Sequence, residues 1–214
     1  MKSNSKMKIG NKSLIHIEKL SYSYGESVLF SDISLQISSG DICLITGPSG
    51  VGKTTLLSLI GGIMKPKKGG IKFDQSLLPR DTGFGYSFIE GPFFENLSVR
   101  DNVFLLEHFS QVIIDRVYYR ELLNYFELDS LEGHLLTSLS AGQRERVSIV
   151  RSLVHKPKIV LLDEPGVNLD DRLFNKLFDY ILLEKNEYER TFVIVSHDHR
   201  YIPLATKQIS LTSQ

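Results

Sequence analysis

An excess of either charge is missing from this sequence. Its 214 residues carry Lys+Arg 25 against Asp+Glu 25, a formal net charge of +0 at pH 7. That balance supplies no field to steer the chain onto nucleic acid or an anionic bilayer, so no nucleic-acid partner is expected. Cysteine is nearly absent. Cys43 stands alone, which excludes an internal disulfide, and its apolar setting ICLIT reads as a small buried hydrophobe. Long apolar runs are missing as well, and none approaches what a membrane helix requires. The N-terminal MKSNSKMKIGNK is basic and polar with no apolar stretch behind it, so no signal peptide is expected. Repeats, heptads and low-complexity blocks do not occur. The expectation is a soluble cytosolic protein; if it works at a membrane, a partner supplies the membrane. The 42% of hydrophobic residues suffice for one domain with room for a subdomain.

Periodicity divides the chain. LIHIEKLSYSY and VLFSDISLQI alternate by twos around YGES and read as antiparallel strands. DICLITG is a short apolar strand, followed by a Gly-rich loop and a helix over TTLLSLIGGIM. KPKKGG, with Lys65, Lys67 and Lys68, reads as a solvated turn, and IKFD and FGYSF as strands. From about residue 95 to 145 the spacing turns helical, in VRDNVFLLEHF and DRVYYRELLNYFEL. AGQRERVSIVRSLVH is a helix with Val147, Val150 and Val154 on one stripe. KIVLLDEP and TFVIVSHD are nearly continuous apolar runs, as suits strands covered on both faces of a parallel sheet. LFNKLFDYILLEK between them is an amphipathic helix. The expected fold class is α/β: a P-loop core with a mostly parallel sheet, an N-terminal antiparallel β layer and an inserted α-helical subdomain, all in one domain.

GPSGVGKT matches G-x-x-x-x-G-K-[ST] at Gly47, Gly52, Lys53 and Thr54. Such a loop, here Gly47, Pro48, Ser49, Gly50, Val51, Gly52 and on to Thr55, wraps phosphates with the backbone N–H groups of its residues other than proline. Lys53 reaches the β- and γ-phosphates, the Thr54 hydroxyl binds Mg²⁺, and the following helix adds its positive end. A flexible glycine turn has similar composition, but this one lies between a strand and a helix. IVLLDEP ends an apolar strand on Asp163 and Glu164. Beside a P-loop, Asp163 would hold Mg²⁺ and Glu164 would orient or deprotonate water. His197 ends the VIVSHD run, where it can touch a γ-phosphate; His199 reads as surface. Ser140 and Gln143 form an S-x-x-Q capping box at a helix start.

With these motifs in this order, the chain resembles the ATP-binding cassette (ABC) ATPases from about residue 14 to 210. LSAGQRERV is similar to that family's Leu-Ser-Gly-Gly-Gln signature, with Leu139, Ser140, Gly142 and Gln143 matching and Ala141 replacing one glycine. The resemblance implies that Ser140, Gly142 and Gln143 face the γ-phosphate held on a partner subunit's P-loop. It makes Tyr24 the aromatic that stacks on adenine, with Tyr22 near enough to compete, and it makes Asp170 in NLD a bridge between subunits. DEPGVNLD is similar to the form found in lipoprotein-release, macrolide-export and cell-division cassettes. The implied ligands are ATP and Mg²⁺. The implied partners are an integral-membrane permease and a second cassette, identical or paralogous. The implied location is the cytoplasmic face of the membrane, reached through that permease.

One position departs from the family. Its glutamine before the helical subdomain, which contacts Mg²⁺ and water, falls on Ile89, with Glu90 adjacent. Slower hydrolysis, substitution by Glu90 through a shifted loop, or a nucleotide-gated interaction module with weak turnover each follow from that change. Phe93 and Phe94 fall where the family docks its permease, or else pack within the helical subdomain.

Overall fold

The computed structural model describes residues 12–77, 83–88, 93–110 and 112–212. Two sheets organise them. β1 (Ser13–Tyr24) and β2 (Ser27–Ser38) form an antiparallel hairpin, and β4 (Lys68–Phe73) pairs antiparallel on the other side of β1. The second sheet is wholly parallel, in the order β5-β6-β7-β3-β8. Its strands are β3 (Ile42–Thr46), β5 (Phe84–Ser87), β6 (Ile159–Asp163), β7 (Thr191–Val195) and β8 (Lys207–Ser210).

Alternation along the parallel strands explains why their sequences are apolar throughout. Ile42, Leu44, Val160, Leu162, Phe192 and Ile194 point to one face, into a core shared with the helices α2 (Val99–Phe109), α3 (Arg116–Tyr125), α4 (Ala141–Leu153) and α5 (Asp171–Tyr188). Cys43, Ile45, Ile159, Leu161, Val193 and Val195 point to the other face, against α1 (Lys53–Ile60) and the antiparallel sheet. Both faces are therefore dry, as a parallel sheet requires. Cys43 is fully buried, and that burial pushes its thiol up to about 12, out of reach of thiolate chemistry.

Polar residues set where the helices start. Ser98, Asp115, Ser140 and Asp170 each accept a backbone N–H in the first turn of α2, α3, α4 and α5. Such a cap is worth about 1 kcal/mol. The capping box read at Ser140 and Gln143 forms in both directions. α4 lies tight against β5 because Gly85 has no side chain: a Cβ there would sit 1.8 Å from the Ser152 carbonyl oxygen. Ser87 Oγ then donates to Ser148 Oγ at 2.9 Å.

Three local readings need correction. α1 stops at Ile60 rather than running to Met64, because Gly61 caps it and Gly62 turns left-handed at φ 71. Lys67 and Lys68 are not merely a solvated turn. Lys67 Nζ donates to the Ser23 carbonyl at 2.6 Å and lies 5.2 Å from the Tyr22 ring centre, while Lys68 begins β4. The parallel sheet also gains an edge strand, β8, after a 3-10 turn over His199–Leu204. KQIS is too short and too polar on alternate positions to announce itself as part of a core sheet.

Candidate nucleotide-binding site

The strand order places the ends of β6, β7 and β3 side by side. Asp163 ends β6, Val195 ends β7 just before His197, and Thr46 ends β3 just before the Gly-rich loop. All three are carboxyl ends of parallel strands, the edge at which open α/β sheets bind ligands.

The loop's glycines answer geometric demands. Gly47 has φ 145, and a Cβ there would lie 2.5 Å from the Leu211 carbonyl oxygen; Gly52 has φ 100 and faces Leu29 at 3.1 Å. Pro48, Ser49 and Gly50 arch into solvent, while Val51 anchors the loop in the core. Gly52 caps α1 without any side-chain acceptor, so the first N–H groups of that helix stay available to an anion. Lys53 folds back over its own loop. Its Nζ donates to the carbonyls of Gly47 and Pro48 at 3.0 Å each, and lies 3.9 Å from Glu164 Oε1. Thr55 is half-buried behind it.

Thr54 Oγ1 donates to Asp163 Oδ2 at 2.8 Å, joining residues 109 positions apart. The other oxygen, Asp163 Oδ1, is buried without a hydrogen-bond partner. Burial raises the Asp163 carboxyl above its ordinary value, opposed by the Thr54 hydrogen bond. A divalent cation would satisfy Oδ1 and remove that cost, and a hydroxyl with a carboxylate is a hard-oxygen pair suited to Mg²⁺. Among the described residues no group of three or more His, Cys, Asp or Glu is placed to hold a metal ion. That suits an ion bound jointly with phosphate oxygens rather than caged by protein.

Glu164 adopts φ 46, and its N–H donates to the Val195 carbonyl at 2.7 Å. The turn carries its side chain toward His197, whose backbone N–H and Nδ1 lie 3.1 and 2.8 Å from Glu164 Oε2. His197 is 71% exposed and Glu164 15%, so the histidine is free to reach outward while the carboxylate is held. His199 is exposed, as its sequence context indicated.

A cavity of about 400 Å³ joins Asp163 and Glu164 to Ala141, Glu145 and Ser148 of α4. Ser140 at the tip of α4 is exposed, with its hydroxyl and Gln143 spent on each other's backbone. Gly142 packs on the segment after Glu164: a Cβ there would lie 2.5 Å from the Asn168 carbonyl oxygen. Asp170 caps α5, accepting from Leu173 N–H at 2.8 Å. The two tyrosines separate. Tyr22 is buried against Phe30 and beneath Lys67, while Tyr24 is 55% exposed. Phe93 is half-buried with the Arg151 guanidinium 5.1 Å from its ring, whereas Phe94 is exposed and lines an apolar groove of about 340 Å³ with Leu105, Leu106 and Phe109. Ile89 and Glu90 lie outside the described residues. Glu145, in the unremarkable stretch RERV, was not singled out from the sequence. It reaches this site through long-range hydrogen bonds that no local pattern announces.

The model of the ABC transporter family matches residues 30–167, well over half of the chain. The chain belongs to the ABC transporter family. This cassette is 34% identical over 204 residues to the lipoprotein-releasing system ATP-binding protein LolD of Buchnera aphidicola, covering 89% of each chain. It is 34% identical over 193 residues to the spermidine/putrescine import ATP-binding protein PotA of Mycoplasma capricolum. That match takes 87% of the cassette but only 55% of PotA, so the cassette spans about half the length of that relative. Among solved structures, the ATP-binding cassette MJ0796, captured as a dimer after hydrolysis with ADP and Pi, superposes with a TM-score of 0.82 at 28% identity. The match covers 92% of this cassette and 94% of that chain. The mixed architecture, a parallel sheet beside a separate antiparallel one, is the expected fold.

Proposed function

We propose that the chain binds and hydrolyses ATP as the motor subunit of an ABC transporter, closing as a dimer to drive a separate membrane permease. The observation that carries this is Asp163, one oxygen tied to Thr54 and the other buried and unsatisfied, beside a lysine whose hydrogen bonds go to its own loop's carbonyls and which lies 3.9 Å from Glu164. On binding, Lys53 exchanges the carbonyls of Gly47 and Pro48 for β- and γ-phosphate oxygens, a charge-assisted and stronger pairing. The N–H groups from Gly47 to Thr55 wrap the rest of the triphosphate. Thr54 and Asp163 would hold Mg²⁺, which screens the charge of the phosphate oxygens. Glu164 takes a proton from the attacking water, and His197, anchored on Glu164, presents its ring to the γ-phosphate.

The second half of the site comes from another protomer. Ser140, Gly142 and Gln143 sit at an exposed helix start, and MJ0796, similar along nearly its whole length, is dimeric. That helix start would close over the partner's γ-phosphate, with Asp170 at the seam. The groove beside Phe94 is also lined by Phe109, 78% exposed. Apolar surface of this extent calls for cover, and the permease's cytoplasmic segment is the cover proposed. No helix among the described residues is long and apolar enough to cross a membrane, so the permease is a separate chain in this reading. Relatives named as ATP-binding proteins of lipoprotein-releasing and polyamine-import systems support it.

Scattering with Mg²⁺ and a non-hydrolysable ATP analogue tests the reading, alongside turnover with ATP. The expected result is a dimer that forms only with nucleotide, and measurable phosphate release. A protein that stays monomeric with the analogue and releases no phosphate, even with its permease, sinks the proposal. Tyr24 gives a separate check. Its removal as Tyr24→Ala should weaken nucleotide binding roughly ten- to hundredfold, since stacking on a base is worth about 1–3 kcal/mol. Tyr22→Ala should instead lower the melting temperature, because that ring is core. Equal affinity in Tyr24→Ala and wild type moves the adenine contact elsewhere.

A further inference from the structure

We propose that Glu145 is a positioning residue, which locks the signature helix α4 to the loop behind Glu164 and so makes the two move as one body within each protomer. The inference rests on the reading that Glu164 activates water. Glu145 lies three residues after Gly142, and residues so spaced share one face of a helix. That face meets residues 165–169. The Glu145 carboxylate accepts from the Gly166 N–H through one oxygen and from the Asn168 N–H through the other, the latter at 2.9 Å. Gly142 lets the same loop approach, since a Cβ there would lie 2.5 Å from the Asn168 carbonyl oxygen.

The loop is braced from its other side too. Tyr201 donates its hydroxyl to the Pro165 carbonyl at 2.8 Å, and the Leu169 N–H donates to the Gly166 carbonyl at 3.1 Å. Gly166 stands at φ 90 with the Phe174 ring 2.5 Å from where a Cβ would be. Only Pro165 separates this held turn from Glu164. A displacement of α4's tip is therefore transmitted through one side chain and one residue of backbone to the proposed base.

The charge of Glu145 supports the inference. Glu95, Glu145, Asp163 and Glu164 all line the same cavity of about 400 Å³. A further carboxylate beside a site for a triphosphate repels the ligand unless its charge is engaged. Both Glu145 oxygens are engaged by backbone N–H groups, and a charged acceptor makes roughly twice as strong a hydrogen bond as a neutral one. An anion here thus trades some repulsion for a stiffer link between α4 and the loop.

The test uses the full chain as Glu145→Ala and Glu145→Gln, with three readouts: hydrogen exchange at the Gly166 and Asn168 amides, nucleotide bound per chain, and kcat separated from KM. In Glu145→Ala both amides should lose protection. Its kcat should fall roughly 10- to 100-fold, the scale of losing alignment by about 1 Å, with KM and nucleotide stoichiometry unchanged. Glu145→Gln keeps the length and one acceptor oxygen but turns an N–H toward one loop N–H, so it should fall between. Unchanged amide protection in Glu145→Ala overturns the lock, and so does unchanged kcat where the wild type turns over. A kcat loss matched by an equal loss of bound nucleotide means a merely folding role and also overturns it. If the wild type itself shows no turnover, the hydrolytic reading has failed, and the exchange data alone decide whether Glu145 holds the loop.

Discussion

Glu164→Gln should cut ATP turnover by about 10²–10⁴-fold, the usual contribution of a positioned general base, while nucleotide continues to bind. The two side chains have the same shape. A glutamine oxygen can keep the hydrogen bond from the His197 N–H, now 3.1 Å from Glu164 Oε2, so the turn between β6 and α5 has no reason to move. What disappears is the carboxylate. It is the acidic group at this edge not already spoken for by a metal-binding role, and it lies between Lys53, 3.9 Å away, and His197. With the proposed base gone, the bound water should keep its proton and the barrier should rise. With one negative charge removed near the triphosphate, binding should hold or tighten. The nucleotide-closed dimer should therefore accumulate in scattering or size exclusion, because hydrolysis no longer reopens it. Phosphate release and analogue binding measured on the same preparation separate these effects. A Glu164→Gln protein that hydrolyses at the wild-type rate would show that the base lies elsewhere. One that loses binding as well would show that the substitution damaged the fold.

Much of this site was legible in the sequence because its signals are local. GPSGVGKT needs residues within one loop, IVLLDEP ends within one strand, and the Ser140 box closes within one turn. The order of these motifs fixed the family, and the fully apolar strands fixed a sheet covered on both faces. What stayed hidden depends on residues far apart in the chain. The choice between Tyr22 and Tyr24 is one case: two positions apart on a strand, both face the same way, so alternation cannot separate them. The neighbours decide, since Phe30 and Lys67 close over Tyr22 alone. Glu145 is another. Its partners, Gly166 and Asn168, are 21 and 23 residues on, and RERV reads as an ordinary solvated helix face. The parked position of Lys53 is local yet equally unreadable, because the motif describes what the lysine does with phosphate rather than what it does without. β8 was missed because an edge strand of alternating exposure carries half the apolar signal of its neighbours.

Buried polar pairing also underlies the largest stability effect expected away from the nucleotide. Arg190→Met should destabilise the protein by about 3–5 kcal/mol, the range for stripping one partner from a buried ion pair. Arg190 and Glu184 have side chains only 7% and 2% exposed, with Nη1 2.6 Å from Oε2, close in charge though not aligned as a hydrogen bond. Glu184 Oε1 accepts from Tyr118 of α3 at 3.2 Å, and the Tyr118 and Tyr180 hydroxyls lie 2.9 Å apart. Burial raises both tyrosines above their ordinary values, so they remain neutral donors at physiological pH. The cluster thus fastens α3 to α5 with a charge that, among the described residues, Arg190 balances. The surface pairs along the same seam, Glu127 with Arg172 and Lys176, are exposed and contribute little each. In a chain of this size about 1 kcal/mol moves the midpoint by roughly 2–4 °C, so Arg190→Met should melt about 6–20 °C lower. Removing both charges, as Arg190→Met with Glu184→Leu, should recover most of that loss, because an apolar pair needs no compensation. The recovery is the decisive measurement: if the double variant melts no higher than Arg190→Met, the damage comes from lost packing around the guanidinium and not from a stranded carboxylate.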